Sequence, residues 1–549
     1  MRKEIADLVI ISGAMFRGVS PKETPQAGGV AIKDGKIAAV GPAAALEACA
    51  GPGTKVYRYG ADTLLMPGFC DSHLHLGMTI AAENGPQLRF VASEEECVAI
   101  TKQWLEDHPG VPWVVGNAWH HSNWPEKKPP NKERLSAAIP DVPVCLVDVD
   151  AHAAWLNQKA LEVYGITKDT PDWEGGVVYR YPDGEPTGYI EETPCIDVFE
   201  SACAAIFADP AARRAYLKHT CRRFNSRGIT SVMDALETPA DWLDTCEALQ
   251  GSGELTVRVA TTAFLNDNPA YLETGRALQA RFPDKGGLLS FWGFKGLTDG
   301  VGGTRTAWMT EDYADAPGNR GYPVVNPDVL RERVLRVEEA GFGAHLHACG
   351  TRAVEFCLDV IEEAKGKGFL KGQRNTITHC DTVNDKDFPR FRALGVVASL
   401  QPEMLAPTRS YADNLYPIVF GEGLMKNGWA NRRIFDNAPA VSFSSDSPVT
   451  VANPMHAVYR ATQRVHDDGT PPGGINPAEK VSLGECLWAF TYGGAYQLGR
   501  EDILGTLEAG KLADIVVLDK NPFKADPAEY RGIGAALTVT GGEVVYQKG

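Results

Sequence analysis

The sequence lacks several features by which other classes of protein are recognised. Its 12 cysteines are scattered singly, without a Cys-x-x-Cys pair, which favours reduced, mostly buried thiols over a disulfide framework or a zinc ribbon. No apolar run reaches the about 18 residues of a transmembrane helix. The start, MRKEIADLVIISGAMF, is interrupted by Asp7 and Ser12 and has no cleavage site, so we expect a β-strand and a cytoplasmic protein.

Positive charge is also scarce in this chain. There are 54 Lys and Arg against 70 Asp and Glu, and the net charge is −16. Nucleic acids and anionic membranes attract clustered Lys and Arg, so neither is expected as a partner. We expect a small-molecule substrate that is neutral or cationic, and a homodimer is compatible with the sequence. With 549 residues, the chain is longer than one hydrophobic core usually supports, so we expect at least two structural units.

The most informative segment is PGFCDSHLHLG, at 67–77. An apolar run ends there in a Gly turn, and positions i and i+2 of a strand share a side, so His73 and His75 can bind one divalent cation. Later apolar runs also end in ionisable residues: FGAHLHACG with His345 and His347, NTITHCD with His379, VSFSSDSP with Asp446, and SFWGFKGLTDG with Lys295. Five such strand ends predict a parallel barrel whose C-terminal rim holds the chemistry.

The order of apolar and helical patterns supports a barrel. Helical patterns, such as those at 327–341 and 351–366, separate most of the apolar runs, and this alternation predicts a (β/α)8 TIM barrel. The eight runs are 64–69, 229–234, 256–262, 290–297, 342–348, 375–380, 396–401 and 440–446.

Short strands with tight turns occur at both ends of the chain. The turn signals are Asp34-Gly35 and Gly541-Gly542. We expect the two β-rich ends to form one small β-sandwich, so the predicted domains are 1–63 with 500–549 for the sandwich and 64–499 for the barrel.

A large insertion is predicted after barrel strand 1, at about 80–200, because the chain between His75 and the second run is far longer than the about 30 residues of one βα unit. The insertion is rich in Trp and Pro and has a hairpin signal at Asp183-Gly184. Loops after barrel strands lie on the rim that carries the chemistry, so we expect this segment to act as a lid and to set specificity.

The candidate ligands predict metal chemistry. Four neutral nitrogen donors and one carboxylate suit one or two Zn²⁺ ions, with Mn or Fe as alternatives. Such an ion lowers the pKa of bound water to about 7, and a nearby carboxylate can carry the proton, a role for which Asp446 is the candidate. Lys295 has two interpretations: a salt-bridged or surface lysine, or a carbamate formed with carbon dioxide that could bridge two ions. Cys70, Cys349 and Cys380 lie beside candidate ligands, and packing is favoured over ligation for them.

These motifs resemble those of the metal-dependent amidohydrolase superfamily, specifically the amidohydrolase family 3 branch that includes N-substituted formamide deformylase. The resemblance covers nearly the whole chain. Its segments are LLMPGFCDSHLHLG, GNAWHHSNW, VPVCLVDVDAHAAWLNQKAL, GEPTGYIEE, KGLTDGVGGTRTA, HLHACGTRA, TITHCD, FSSDSPV and LGTLEAGKLADIVVLDKNP.

The resemblance implies a (β/α)8 barrel with a terminal β-sandwich, and it assigns each metal ligand to a strand. The implied ligands are His73 and His75 on strand 1, carboxylated Lys295 on strand 4, His347 on strand 5, His379 on strand 6 and Asp446 on strand 8. One departure is Thr351, which stands where family members usually carry Asp.

The predicted activity is hydrolysis of a non-peptide amide C–N bond by metal-bound hydroxide, with Asp446, His379 and Lys295 as catalytic residues. A hydrolytic deaminase of a cyclic amidine and a catalytically silent ligand-binding scaffold are the alternatives.

Other side chains are candidates for contact with the substrate. His152, Trp119 and Arg352 are assigned to substrate binding, with a structural core role as the alternative for His152. For His120 and His121 we favour loop packing, and His345 has the alternative of a hydrogen-bonded core residue. Glu192 is interpreted as a solvated hairpin carboxylate.

Overall fold

The computed structural model describes residues 5–89, 91–149, 153–171, 176–237, 240–266, 268 and 270–549. The chain divides into two compact units, one formed by Met1–Leu76 with Cys221–Gly549 and the other by Gly77–Thr220. Among the described residues, no helix combines the length and the apolar character needed to cross a membrane.

Strands from both ends of the chain join in one hydrogen-bonded sheet of the first unit. The hairpin turns form as predicted, because Asp34, Gly35, Gly541 and Gly542 all adopt positive φ. Residues from the two termini, including Leu8, Ile10, Ile515 and Val517, pack in one apolar cluster. The strands of this terminal sheet are Leu8–Met15, Gln26–Lys33, Lys36–Gly41, Lys55–Tyr59, Leu64–Pro67, Ile515–Leu518, Ala535–Thr540 and Glu543–Gln547.

The first unit also contains the predicted (β/α)8 TIM barrel, which is confirmed. Its parallel strands pair in chain order around the sheet. Barrel strands 1 to 8 are Phe69–Leu74, Ile229–Glu237, Arg258–Phe264, Leu289–Leu297, Gly343–Ala348, Asn375–His379, Val396–Leu400 and Val441–Phe443.

One predicted run was wrong in its assignment. The first part of 64–69 does not belong to the barrel, because Leu64–Pro67 pairs antiparallel with Ile515–Leu518 in the terminal sheet. Barrel strand 1 begins only at Phe69, after the Gly68 turn. The sequence could not show this, because the barrel and the terminal sheet both contain apolar strands.

The backbone after barrel strand 8 bonds to barrel strand 1. The Asp446 N–H donates to the His73 carbonyl at 2.8 Å, and the His75 N–H donates to the Ser447 carbonyl at 2.9 Å. These bonds close the barrel at the point where the candidate ligands lie.

Helices follow most barrel strands and bury their apolar faces against them. The predicted helices at 327–341 and 351–366 form as Pro327–Glu339 and Thr351–Gly366. The remaining α-helices of this unit are Ala43–Glu47, Ala240–Gly251, Tyr271–Arg281, Phe388–Leu394, Tyr416–Met425, Asn431–Asn437, Pro454–Gln463, Leu483–Trp488 and Gly494–Gln497, with a π-helix at Ala489–Gly493. Single 3₁₀ turns lie at Pro402–Leu405, Tyr411–Asp413, Pro477–Glu479 and Pro527–Gly532.

The second unit is built on its own mixed sheet. In spatial order the strands are Gly176–Arg180, Pro186–Glu192, Ala153–Leu156, Val144–Asp148 and Val114–Trp119. Two apolar clusters form its core, one around Trp113 and Cys145 and the other around Trp119 and Trp155. The helices are Glu94–Asp107, Lys132–Ala138, Gln158–Tyr164 and Thr193–Ile206, with a 3₁₀ turn at His121–Asn123, while Leu76–Glu83 and Pro210–Ser226 run across the chain boundaries of the unit.

Candidate metal centre

The predicted ligands lie at the C-terminal ends of barrel strands. His73 is in strand 1 and His75 follows it directly, whereas His379 is the last residue of strand 6. Lys295 lies two residues before the end of strand 4, His347 lies one residue before the end of strand 5, and Asp446 follows strand 8. Parallel strands end at the same rim of a barrel, and the fold therefore brings side chains from distant parts of the sequence together.

The distances define a compact group around Asp446. Its Oδ1 lies 3.1 Å from His73 Nε2 and 3.0 Å from His75 Nε2. One ligand atom from each of His73, His379 and Asp446 lies within 4.8 Å of the others. The rings of His347 and His379 have centroids 4.3 Å apart, so His347 adjoins this group.

Two of these atoms are buried without a hydrogen-bond partner among the described residues, namely His73 Nε2 and Asp446 Oδ1. Orphaned polar atoms in the interior are costly and call for an explanation. Two ligand atoms that each lie about 2.0 Å from one tetrahedral zinc ion are about 3.3 Å apart. This is close to the 3.1 Å between His73 Nε2 and Asp446 Oδ1. The residues present therefore fit a divalent cation.

Lys295 lies within this site, and the surface alternative for it is wrong. Its side chain is 1% exposed. Burial lowers the pKa of Lys295 to about 8, although the Asp446 carboxylate acts in the opposite direction. A lysine with a lowered pKa is more often unprotonated, the form that reacts with carbon dioxide.

Three histidines of the site, His73, His347 and His379, are kept neutral by their surroundings. Burial, followed by the charge of Lys295, lowers the pKa of His347 to about 4 and that of His73 well below its ordinary value. The pKa of His379 is also lowered well below its ordinary value, by burial and the neighbouring His347. Neutral imidazole is the form that binds a metal ion.

Asp446 is kept ionised although it is buried. Burial acts to raise its pKa, but the contact with His75, together with the nearby His379 and Lys295, holds the pKa below its usual value. The carboxylate thus retains negative charge for a cation and can accept a proton.

Two of the candidate ligands have unusual backbone conformations. His379 has a φ of 76° and Asp446 a φ of 56°, and Cys380 also has a positive φ. Residues other than glycine rarely adopt this region, and such strain concentrates at functional sites.

Asp299, which sequence reasoning missed, supports His347. Its carboxylate accepts backbone N–H groups from Trp308, Cys349 and Gly350 at 2.8 to 3.0 Å. His347 Nε2 lies 3.7 Å from Asp299 Oδ1 and 3.2 Å from the Gly300 carbonyl. Burial raises the pKa of Asp299 to about 8. The signal in the sequence was an acidic residue shortly after Lys295 at the end of the same apolar run.

Asp71 was missed in the same way. It is buried in barrel strand 1 and accepts the Ser445 N–H at 2.9 Å, which ties this strand to the segment that carries Asp446. Burial raises the pKa of Asp71 to about 7. An acidic residue inside an apolar strand, two positions before His73, was the available signal.

His345 and Thr351 make internal contacts. His345 is fully buried, and its Nε2 lies 2.6 Å from His73 Nδ1. Thr351 is buried too, and its hydroxyl accepts the Thr310 N–H at 2.9 Å and adjoins the Thr310 hydroxyl. The Thr351 hydroxyl therefore joins the start of helix Thr351–Gly366 to the loop that contains Thr310.

Two of the residues assigned to substrate binding, Trp119 and Arg352, make contacts with their own neighbours. Trp119 is fully buried in the second unit, where its indole N–H donates to the Leu146 carbonyl at 2.7 Å, so its contacts are those of a core residue. Arg352 pairs with Glu355 at 3.1 Å and lies over the Trp308 ring. His152 lies outside the described residues.

The structure also describes the other histidine, glutamate and cysteine candidates. His120 and His121 stack on each other with centroids 4.7 Å apart. Glu192 is exposed at the end of its strand. Cys70, Cys349 and Cys380 are buried free thiols, and Cys349 Sγ lies 3.5 Å from His347 Nε2.

Known proteins resemble this chain over most of its length. The sequence profile described as the amidohydrolase family matches residues 61–546. Protein LONG AFTER FAR-RED 3 of Arabidopsis thaliana is 28% identical over 99% of this chain and 92% of its own length. N-substituted formamide deformylase of Arthrobacter pascens is 24% identical over 99% of both chains. The crystal structure of an uncharacterised metal-dependent hydrolase from Pyrococcus furiosus matches with a TM-score of 0.72 and 26% identity, covering 95% of this chain and 99% of that one.

Proposed function

Because the chain belongs to the amidohydrolase family, we propose that it is a metal-dependent hydrolase that cleaves a non-peptide amide C–N bond of a small molecule. The observation that carries this proposal is the group of imidazoles around the buried carboxylate of Asp446, whose Oδ1 lies 3.1 Å from His73 Nε2 and 3.0 Å from His75 Nε2. The likeness to N-substituted formamide deformylase supports an amide as the substrate class.

Six residues would hold the metal: His73, His75, Lys295, His347, His379 and Asp446. When bound, a zinc-like ion would act as a Lewis acid and would make water nucleophilic near neutral pH. One or two Zn²⁺ ions are proposed, since the donor set exceeds the four ligands of one tetrahedral ion. A carbamate on Lys295 would add two oxygens that share one negative charge, at a position that is closed to solvent.

Asp446 is proposed to move the proton of the reaction. Attack of water on the amide carbon requires removal of a proton, and departure of the amine requires a proton on nitrogen. A carboxylate that stays ionised in the resting site can take the first proton and deliver it to the leaving nitrogen. Its contact with His75 and the Asp446 N–H bond to the His73 carbonyl hold it in place for both steps.

The experiment that tests this function combines metal analysis with a substrate panel. The purified protein should contain one to two divalent ions per chain, and prolonged chelation should abolish the hydrolysis of N-substituted formamides or related amides. Adding Zn²⁺ back should restore activity, and Mn²⁺ and Fe²⁺ serve as comparisons.

The same panel separates the alternatives. Release of ammonia from cyclic amidines, without release of amines from amides, would identify a deaminase instead. Tight metal binding without turnover of any member would favour a ligand-binding scaffold. Full activity in the metal-free protein would contradict the proposed function.

A further inference from the structure

His345 belongs to the HLH segment of barrel strand 5 but is not among the proposed ligands. Its side chain is fully buried, two positions before His347. Its Nε2 lies 2.6 Å from Nδ1 of His73. The ring centroids are 4.8 Å apart and the planes are inclined by 32°, so the two rings meet through their nitrogen atoms and not face to face.

This contact determines which nitrogen of His73 can bind a cation. The other nitrogen, Nε2, lies 3.1 Å from Asp446 Oδ1. An imidazole that ligates through Nε2 needs a lone pair there, and its proton is then on Nδ1. That proton points at His345 Nε2, which must accept it, because a separation of 2.6 Å holds one proton and not two.

We propose that His345 is a positioning residue of the metal centre, which accepts the Nδ1–H of His73 and so holds His73 Nε2 toward Asp446 with its lone pair free. This inference rests on the proposed function, since it takes His73 to be a ligand. Ligating histidines usually donate their second ring N–H to a carboxylate, a carbonyl or water. Here a second imidazole takes that place and adds no negative charge to the site.

A second acceptor lies near the same nitrogen. The Thr378 hydroxyl is 3.2 Å from His73 Nδ1, a longer contact than that of His345. This hydroxyl already accepts a hydrogen bond from Gln401 Nε2 at 3.1 Å. We therefore assign the main contact to His345 and a lesser one to Thr378.

The test compares the metal affinity of three variants with that of the wild type. His345→Phe removes the acceptor but keeps a planar ring, His345→Gln keeps an acceptor oxygen, and Thr378→Val removes the lesser contact. Thr376→Val is the matched control, because Thr376 is equally buried in the next strand and its hydroxyl has no hydrogen-bond partner within the described part of the chain. Zn²⁺ affinity is measured by competition with a chelator, and the visible absorption of the Co²⁺-substituted protein reports the ligand geometry.

The expected result is a loss of Zn²⁺ affinity of about 10- to 100-fold in His345→Phe, the usual effect of losing such a support, with a changed Co²⁺ spectrum. His345→Gln should keep most of the affinity, and Thr376→Val should match the wild type. Thermal unfolding of the metal-free proteins shows whether each variant is folded. A folded His345→Phe protein with wild-type affinity and spectrum would overturn the inference.

Two further outcomes are distinguishable. If the wild type itself binds no divalent ion, the proposed function fails and the positioning role fails with it. If His345→Phe does not fold, the Zn²⁺ affinities of His345→Gln and Thr378→Val decide the outcome. Retained affinity in both variants supports the inference, and a loss of about tenfold or more in either variant overturns it.

Discussion

Asp446 combines two properties that ordinarily oppose each other. It is 5% exposed, and burial disfavours its charge, yet its neighbours hold its pKa below the usual value. The compensation comes mainly from His75, which contacts the carboxylate, and from the nearby Lys295 and His379. At the scale of single residues, the protonation state of Asp446 therefore depends on its neighbours, and Asp446 is the residue proposed for both metal binding and proton transfer.

Replacing Asp446 by asparagine should separate these two roles. The amide keeps the size and one coordinating oxygen but cannot carry a proton, so we expect kcat to fall by about 10² to 10⁴ with most of the metal retained. Turnover and metal content are measured on any accepted substrate. Asp385→Asn serves as the control, because Asp385 is an exposed carboxylate paired with Arg433. A loss below about tenfold with metal retained would assign the proton to another residue.

Lys295→Ala should lose most of the bound metal. The side chain is buried among the ligands, and only its carbamate form would contribute negative charge there. Metal analysis of the variant and ¹³C NMR of the wild type exchanged with labelled carbon dioxide provide two independent measurements. A carbamate signal in the wild type that is lost in the variant is the expected outcome. Full metal content in Lys295→Ala would contradict the proposed ligand.

At the scale of elements, helix Pro327–Glu339 packs on the barrel through a buried carboxyl group. Glu338 is fully buried near the start of barrel strand 6, where Gln373 Nε2 donates to its Oε2 at 2.6 Å, while its Oε1 has no partner among the described residues. Burial raises the pKa of Glu338 to about 7 from 4.5. The helix contact is thus favourable with a protonated carboxyl group and weakens when the group ionises.

The stability of the protein should therefore depend on pH through Glu338. Because the folded pKa is raised, this contribution is fully present below pH 4.5 and is lost as the pH rises through about 7. Glu338→Gln should leave the melting temperature almost unchanged at about pH 5 and stabilise the protein by on the order of 2 kcal/mol at about pH 8. Thermal unfolding of both proteins across this range is the measurement. Glu339→Gln, at the exposed neighbouring position, is the control and should show no such difference. An equal effect of Glu338→Gln at both pH values would be inconsistent with this account.

At the scale of the whole molecule, the first unit unites the barrel with the terminal sheet through a buried ion pair. Arg258 in barrel strand 3 binds both carboxylate oxygens of Asp514 at 2.7 and 2.9 Å, and both side chains are 4% exposed. Asp514 immediately precedes the strand Ile515–Leu518, and it also accepts the Gly541 N–H. The pair therefore connects the barrel to the strand that pairs with Leu64–Pro67 just before barrel strand 1.

Breaking this pair should destabilise the fold strongly. Asp514→Ala leaves a buried guanidinium without its partner, which typically costs about 3 to 5 kcal/mol. Replacing both members, as in Arg258→Met with Asp514→Leu, should recover most of this loss, since it removes both buried charges. Denaturant unfolding of the single and double variants gives the coupling between them. Glu273→Gln, in the exposed pair with Arg276, is the control and should change stability by less than about 1 kcal/mol. A double variant that is no more stable than Asp514→Ala would show that packing, and not the unpaired charge, is responsible.

Much of the barrel, and the position of the candidate ligands at its rim, could be predicted from the sequence. Apolar runs of β-branched residues, their separation by helical patterns and the tight turns at Asp34-Gly35 and Gly541-Gly542 are local properties, and they reappear in the structure. His73, His75, His379 and Asp446 could be singled out because each ends an apolar run, and parallel strands necessarily end at one rim.

What only the tertiary structure decided depends on partners that are remote in sequence. Leu64–Pro67 belongs to the terminal sheet because its hydrogen-bond partner lies at Ile515–Leu518. Trp119 is a core residue because its indole N–H donates to the Leu146 carbonyl and its ring packs in a cluster with other tryptophans. The supporting contacts of Asp71, Asp299 and His345 follow the same rule. Local pattern determines which side of a strand a residue occupies, but the atom it meets there is set by packing between elements, which no single segment of the sequence encodes.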